Sequence, residues 1–210
     1  MSGALRFHRP GSVEEALDLL ARLGDDGLVV AGSTAVPVLV RNGLVRPPGL
    51  VSITRIPGMR DIAVAPDEVA LGALVTHRRV ELDPAIREAL PVLAATFARV
   101  ANVRVRNAAT VGGGVAEADY ASDPPTTLVG LGATVRVRGA DGEREVAAAD
   151  FFRGFYESAL NPGELVTGVR VPRPPAGTSP PYVRYVTRPT EDRPLGAGFP
   201  SRPRADDGTF

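Results

Sequence analysis

The sequence predicts a chain of mixed helix and strand, with a small βαβαβ unit first and hairpins interleaved with short helices after it. Three observations carry this. Apolar residues recur at helical spacing between short extended runs in the first 55 residues. Paired strand-like runs flank turn residues at Pro66-Asp67 and at Gly139–Gly142. The 210 residues, 44% of them hydrophobic, suffice for one domain or two small ones with a real core.

In order, Leu5–His8 reads as a short extended piece before Pro10. Ser12-Val13-Glu14-Glu15 is a capping box, with the glutamate three residues after the cap. Val13, Ala16, Leu17, Leu20 and Leu23 follow at helical spacing, and Gly24 ends the helix. Leu28–Ala31 is a buried strand, Gly32-Ser33-Thr34 a turn, Ala35–Arg41 a short helix ended by Asn42-Gly43, and Leu50–Ile53 a strand. Arg60–Ala65 and Glu68–Leu74 make a hairpin. Thr76–Leu82 and Pro84–Val100 read as helices, Asn102–Ala109 as irregular, and Thr110–Gly114 as a glycine-rich turn with no helix directly after it. Ser122 or Asp123 caps a further helix with Pro124 in its first turn. Thr134–Arg138 and Glu143–Val146 form a second hairpin, Asp150-Phe151-Phe152 starts a short helix, and Glu164–Val171 is a strand. Residues 173–210 hold eight of the twenty prolines and no apolar periodicity, so they read as an extended or disordered tail.

Composition excludes much chemistry. The chain has no Cys, hence no disulfide, thiolate nucleophile or iron–sulfur ligand of its own. All 24 basic residues are Arg, which excludes a Walker lysine and a Schiff base. Only His8 and His77 carry imidazoles. A formal net charge of zero argues against a nucleic-acid or anionic-membrane partner held by bulk charge. There is no long apolar run and no signal-peptide core, so a cytoplasmic protein is the default expectation. These absences point to chemistry brought by a cofactor.

Two glycine turns are the informative pieces: Ala31-Gly32-Ser33-Thr34 and Thr110-Val111-Gly112-Gly113-Gly114. Each is expected to offer consecutive backbone N–H groups with little side-chain obstruction, and each has a threonine hydroxyl beside it. One such turn suits one phosphate; two facing turns suit a pyrophosphate, with charge-assisted hydrogen bonds of roughly 1.5–3 kcal/mol each. Neither turn has the G-x-G-x-x-G spacing, and either taken alone is also an ordinary turn. Asp119 and Asp123 follow four residues apart. A carboxylate at a helix start can accept ribose hydroxyls, and Asp123 can equally be a simple cap.

With these residues in view, the sequence resembles the FAD-binding medium subunit of the molybdenum hydroxylases, the group of aerobic carbon monoxide dehydrogenase and xanthine dehydrogenase. Ala31–Val36 stands where that family has A-G-G-T-D-L, and Val105–Gly114 where it has I-R-N-x-G-T-I-G-G-N. Ala118–Pro125 matches A-D-P-x-x-D-L-P, and Leu71–His77 matches I-G-A-x-T-T-H. Asp150–Gly154 and Pro162–Val166 match D-F-F-x-G and P-G-E-I-L, while Tyr182, Arg184 and Arg188 fit Y-x-K-x-x-x-R. The resemblance covers residues 5 to about 192.

The resemblance implies an α+β fold, the two-lobed PCMH-type FAD-binding domain, with FAD in the inter-lobe cleft. Residues 1–55 would form the first lobe, 56–172 the second, and 173–210 the remnant of a C-terminal domain in a truncated chain. The cofactor-binding set it implies is Val30, Ala31, Gly32, Ser33, Thr34, Ala35 and Val36 from the first motif, with Thr110, Val111, Gly112, Gly113 and Gly114 from the second. Asp119, Asp123, Val100, Val166 and Arg184 complete it. The pyrophosphate would lie between the turns, Asp123 would hold the adenosine ribose, Val100 and Val166 would meet the adenine or dimethylbenzene side, and Arg184 would lie near the flavin ring. His77 would be structural. No catalytic side chain or metal ligand is expected. The implied role is an electron-transfer subunit that passes electrons from an iron–sulfur small subunit and a molybdopterin large subunit through FAD to an external acceptor. The alternatives are a remnant or assembly piece that no longer holds flavin, and a flavin enzyme of the related reductase and oxidase superfamily. Departures from the pattern are Ser33 for glycine, Ala35 for an acid, Ala109 and Gly114 for Gly and Asn, and Tyr120 and Pro124 for Pro and Leu.

Overall fold

A computed structural model describes residues 5–174, 182–185 and 196–198. The first unit runs β1 (Arg6–His8), α1 (Val13–Leu23), β2 (Leu28–Val30), α2 (Val36–Arg41) and β3 (Gly49–Ser52), followed by a 3₁₀ turn at Ile53–Arg55. Both neighbours pair parallel to β3, giving the order β1-β3-β2. Ser12 caps α1 by accepting from Glu15 N, and Glu15 reaches back to Gly11 N. Gly24 ends the helix at φ 71°, in the left-handed region that favours glycine. The expected βαβαβ unit is present.

The second unit is built on a five-stranded antiparallel sheet ordered β4-β5-β10-β6-β7. β4 (Ile62–Val64) and β5 (Glu68–Gly72) are one hairpin. β6 (Thr134–Gly139) and β7 (Gly142–Ala147) are the other, and β10 (Leu165–Pro172) lies between them. β10 is buried along most of its length, as a central strand covered by helices must be. Between the hairpins run α3 (His77–Leu82), α4 (Pro84–Ala89), α5 (Pro91–Ala98), α6 (Val103–Ala108), α7 (Val111–Glu117) and α8 (Asp123–Gly130). After β7 come α9 (Ala148–Phe151), β8 (Phe152–Gly154) and β9 (Glu157–Ser158). Near the end, β11 (Val183–Tyr185) pairs with β12 (Gly196–Gly198), and β12 packs on α8. One apolar core, including Val51, Leu71, Phe97, Leu128, Phe151 and Val169, joins the parallel unit to the antiparallel one.

Four local expectations are corrected. The helix read as Pro84–Val100 breaks at Leu90 (φ −143°, ψ 70°), because Pro91 cannot donate and forces the preceding residue out of helical geometry. Asn102–Ala109 is not irregular: Asn102 accepts from the amides of Arg104 and Val105 and starts α6. Thr110–Gly114 is not a free turn but the cap and first turn of α7, with the Thr110 hydroxyl accepting from Gly113 N at 3.1 Å. Phe152 begins a strand where a helix start was expected; Phe151 is the last residue of α9.

Candidate functional site

The turn after β2 and the start of α7 face one cleft of about 690 Å³. Val30, Ala31, Gly32, Ser33, Thr34, Ala35 and Val36 line one side. Thr110, Gly112, Gly113 and Gly114 line the other, and Val100, Asp119, Asp123 and Val166 border the same space. Two residues of the expected set do not join them. Val111 is buried in the core, since its place at the start of α7 turns it toward the sheet. Arg184 is described only through its backbone in β11, and the expectation for its side chain, like that for Arg188, lies outside the described residues.

The backbone amides divide unequally between the two turns. Val111 N donates to Val75 O (2.8 Å), Gly112 N to Ala73 O (2.9 Å), and Gly114 N to Thr110 O (2.9 Å). With Gly113 N on the Thr110 hydroxyl, every amide from 111 to 114 already has an acceptor. The expectation of a second nest of free N–H groups is therefore corrected: helix capping and the β5–α3 connection satisfy those donors first. The amides of Gly32, Ser33, Thr34 and Ala35, by contrast, have no protein acceptor among the described residues. They sit in a turn bent by Ser33 at φ 54°, a left-handed value that costs a serine about 1–2 kcal/mol. Gly112 is enclosed, since a Cβ there would stand 2.5 Å from the Ala73 Cβ. A Cβ at Gly113 would meet a single neighbour, the Thr110 hydroxyl, at 2.9 Å, closer than a side chain tolerates.

No arginine lines the cleft among the described residues; its titratable lining is Glu117, Asp119, Asp123, Glu164, His77 and Tyr156. Burial, and secondarily the charge of Asp119, push the Glu117 carboxyl above its usual value. Glu164 is held below its usual value, chiefly by hydrogen bonds from Arg144 at 2.6 and 2.8 Å. Asp119 accepts from Ala121 N at 3.1 Å, and the buried Asp123 accepts from the Tyr182 hydroxyl at 2.5 Å.

His77 packs edge-on against Phe97 at 4.8 Å beneath Gly114. Neither ring nitrogen has a hydrogen-bond partner among the described residues. Burial above all, aided by the nearby Arg106 charge, lowers its pKa to about 4. The Thr110 backbone offsets this only in part, and hydrogen-bond geometry to it is not met.

The sequence reading missed part of the surround. Ala101, Tyr156 and Leu160 also line the cleft, and Glu117 becomes visible as a lining residue once 111–117 is helical, since it then lies on the face of Gly113 and Gly114. It also missed the scaffold of the 100–101 loop. Arg106 donates to Glu81 (2.9 Å) and to the carbonyls of Val100 (3.0 Å) and Ala101 (2.8 Å), and Glu81 is also bound by Arg78 at 2.5 Å. Ala101 adopts φ 43°, and this network holds it there.

Comparison with known proteins identifies the family. The family model for the FAD binding domain in molybdopterin dehydrogenase matches residues 3–174. The chain belongs to this family. Among its relatives, subunit alpha of the 6-hydroxypseudooxynicotine dehydrogenase complex of Paenarthrobacter nicotinovorans is 35% identical over 177 residues, covering 84% of this chain and 60% of that protein. The carbon monoxide dehydrogenase medium chain of Afipia carboxidovorans is 33% identical over 175 residues, covering 83% and 61%. The chain thus spans about three-fifths of the length of these relatives. Among solved structures, carbon monoxide dehydrogenase from Hydrogenophaga pseudoflava superposes with a TM-score of 0.84 at 31% identity over 90% of this chain and 66% of that one. Quinoline 2-oxidoreductase from Pseudomonas putida 86 gives 0.83 at 31% identity over 90% and 65%. The α+β fold of this molybdopterin-dehydrogenase FAD domain and FAD as its cofactor follow from the match.

Proposed function

We propose that the protein is the FAD-carrying electron-transfer subunit of a molybdenum hydroxylase. In this reading it assembles with an iron–sulfur small subunit and a molybdopterin large subunit and delivers electrons to an external acceptor. Its relatives include a named medium chain and a subunit of a dehydrogenase complex. None of the 210 residues is Cys, so none of them offers a thiolate to an iron–sulfur cluster, which agrees with clusters held elsewhere.

One observation carries the reading of the cleft. It presents a run of unengaged amides at 32–35, carboxylates at Asp119 and Asp123, and no arginine among the described lining residues. A dinucleotide suits this donor set. Its pyrophosphate takes amide hydrogen bonds, aided by the start of α2 directly after Ala35, and its polyol hydroxyls take the carboxylates. The volume falls within the range of cofactor sites. Gly113, which lines the cleft without a side chain, leaves room for a phosphate, while Val100, Val166 and Ala101 give apolar contact to a ring. FAD, when bound, supplies the redox chemistry. The chain's part is to bind it, orient it and exclude water from it.

The test is titration of the purified protein with FAD, read by quenching of flavin fluorescence. Saturable quenching is expected, and Gly113→Val should weaken it at least about a hundredfold, because a branched side chain fills the approach to the cradle. If the wild type leaves FAD fluorescence unchanged, the reading fails.

A further inference from the structure

Among the described residues, the non-glycine positions with left-handed backbone are Ser33 (φ 54°), Ala101 (φ 43°), Ala118 (φ 49°) and Tyr156 (φ 55°). Three of these line the cleft, and Ala118 stands between two lining residues, Glu117 and Asp119. Strain of this kind persists where the surrounding fold holds it, and it clusters at binding sites. Ser33 and Ala101 set the course of the backbone, and Ala118 ends α7. At Tyr156 the strained position carries a large ring.

Tyr156 is the second residue of the two-residue turn between β8 and β9, in which Gly154 pairs with Glu157. A positive φ in such a turn favours glycine or asparagine, and a bulky residue there is an outlier. Core packing does not account for it, because Tyr156 is half exposed. Its ring meets Tyr120 edge-on at 5.6 Å, and Tyr120 meets Phe155 edge-on at 4.6 Å. All three are exposed, Phe155 to 79%. An apolar cluster left on the surface in this way marks a place where something else sits. Of the three rings, Tyr156 borders the cleft, and β9 beside it packs on α7.

We propose that Tyr156 is an aromatic wall of the ligand site: its ring stacks on a planar heteroaromatic ring of the bound dinucleotide, with Tyr120 and Phe155 as buttresses. This rests on the reading of the cleft given above. Tyr120 directly follows Asp119 and shortly precedes Asp123, so the wall adjoins the carboxylates that face the sugar hydroxyls. In a dinucleotide each sugar leads on to a ring, and a ring leaving those carboxylates meets the wall. Stacking supplies area at little entropic cost, since a tyrosine has few torsions to fix and its neighbours already restrain them. The left-handed turn is what aims the ring at the cleft instead of into solvent.

The experiment titrates the full chain with FAD, read by fluorescence quenching, beside urea denaturation of wild type, Tyr156→Asn and Tyr156→Phe. Asparagine tolerates the left-handed backbone, so it removes the ring while relieving strain, and the urea midpoint should not fall. FAD affinity should nevertheless drop at least about tenfold, the size of one ring stack. Tyr156→Phe keeps the ring and should bind FAD within about threefold of wild type. ADP and FMN, each titrated by calorimetry, carry one ring apiece: the one whose affinity falls in Tyr156→Asn identifies the ring that is stacked. A tyrosine that only shapes the turn would lose stability and affinity together. If wild type binds FAD and Tyr156→Asn binds it equally well, if Tyr156→Phe loses as much as Tyr156→Asn, or if the midpoint falls along with affinity, the inference is overturned and the FAD reading stands. If wild type does not bind FAD, both fall.

Discussion

Gly32 lies against the carbonyl of Ala108. A Cβ at position 32 would overlap that oxygen and stand 3.0 Å from the Ala109 Cα. Two segments far apart in sequence, the turn after β2 and the junction of α6 with α7, thus touch through backbone alone. Gly32→Ala should force them apart, destabilise the protein by about 1–3 kcal/mol and lower FAD affinity together with it. Gly11→Ala, where an added Cβ meets only the Glu15 carboxylate at 3.8 Å, should change neither by a measurable amount. Chemical denaturation and flavin titration of the two variants check this.

His77 predicts a pH dependence of stability. Its pKa is about 4 in the folded protein against 6.5 for an unperturbed histidine, so the unfolded chain takes up the proton first. Stability is fully present above pH 6.5 and falls as pH drops from 6.5 to 4, by about 3 kcal/mol for the whole step. It levels off for this group below pH 4. Glu81 and Glu164, whose pKa values are lowered from 4.5, act in the same direction but in a more acidic window. His77→Gln should flatten the slope between pH 6.5 and 4 in urea denaturation; an unchanged slope assigns it elsewhere.

Glu81 holds the loop at 100–101 in place through Arg106. Burial disfavours its charge, but hydrogen bonds from Arg78 and Arg106 outweigh this and lower its pKa. The Arg106 side chain is 13% exposed, so Glu81→Gln would leave a largely buried guanidinium without its counter-charge. A loss of about 3–5 kcal/mol is expected, and adding Arg106→Met should restore part of it. Denaturation midpoints of the single and double variants decide the matter. FAD affinity should be lower in the double variant than in wild type, because only there have the Val100 and Ala101 carbonyls lost their donor.

Much of this was legible in the sequence. The capping box at Ser12–Glu15, the hairpins and the buried strand at 165–172 are local patterns, fixed by periodicity and turn chemistry within about ten residues. The glycine motifs marked both sides of the cleft for a similarly local reason: absent side chains are visible in any sequence. The misreadings were of another kind. Glycines at 112–114 argue against a helix by propensity, yet α7 forms there because the Thr110 cap and the close contact of Gly112 with Ala73 outweigh that preference.

The sequence by itself determined most of the elements, the cofactor class through its motifs, and the exclusion of thiol and lysine chemistry from these residues. Only the tertiary structure decided which amides remain available. That depends on partners distant along the chain: Val75 and Ala73 engage the amides of Val111 and Gly112, while none of the described residues engages 32–35. Each amide donates one strong hydrogen bond, and who accepts it is a property of the assembled fold.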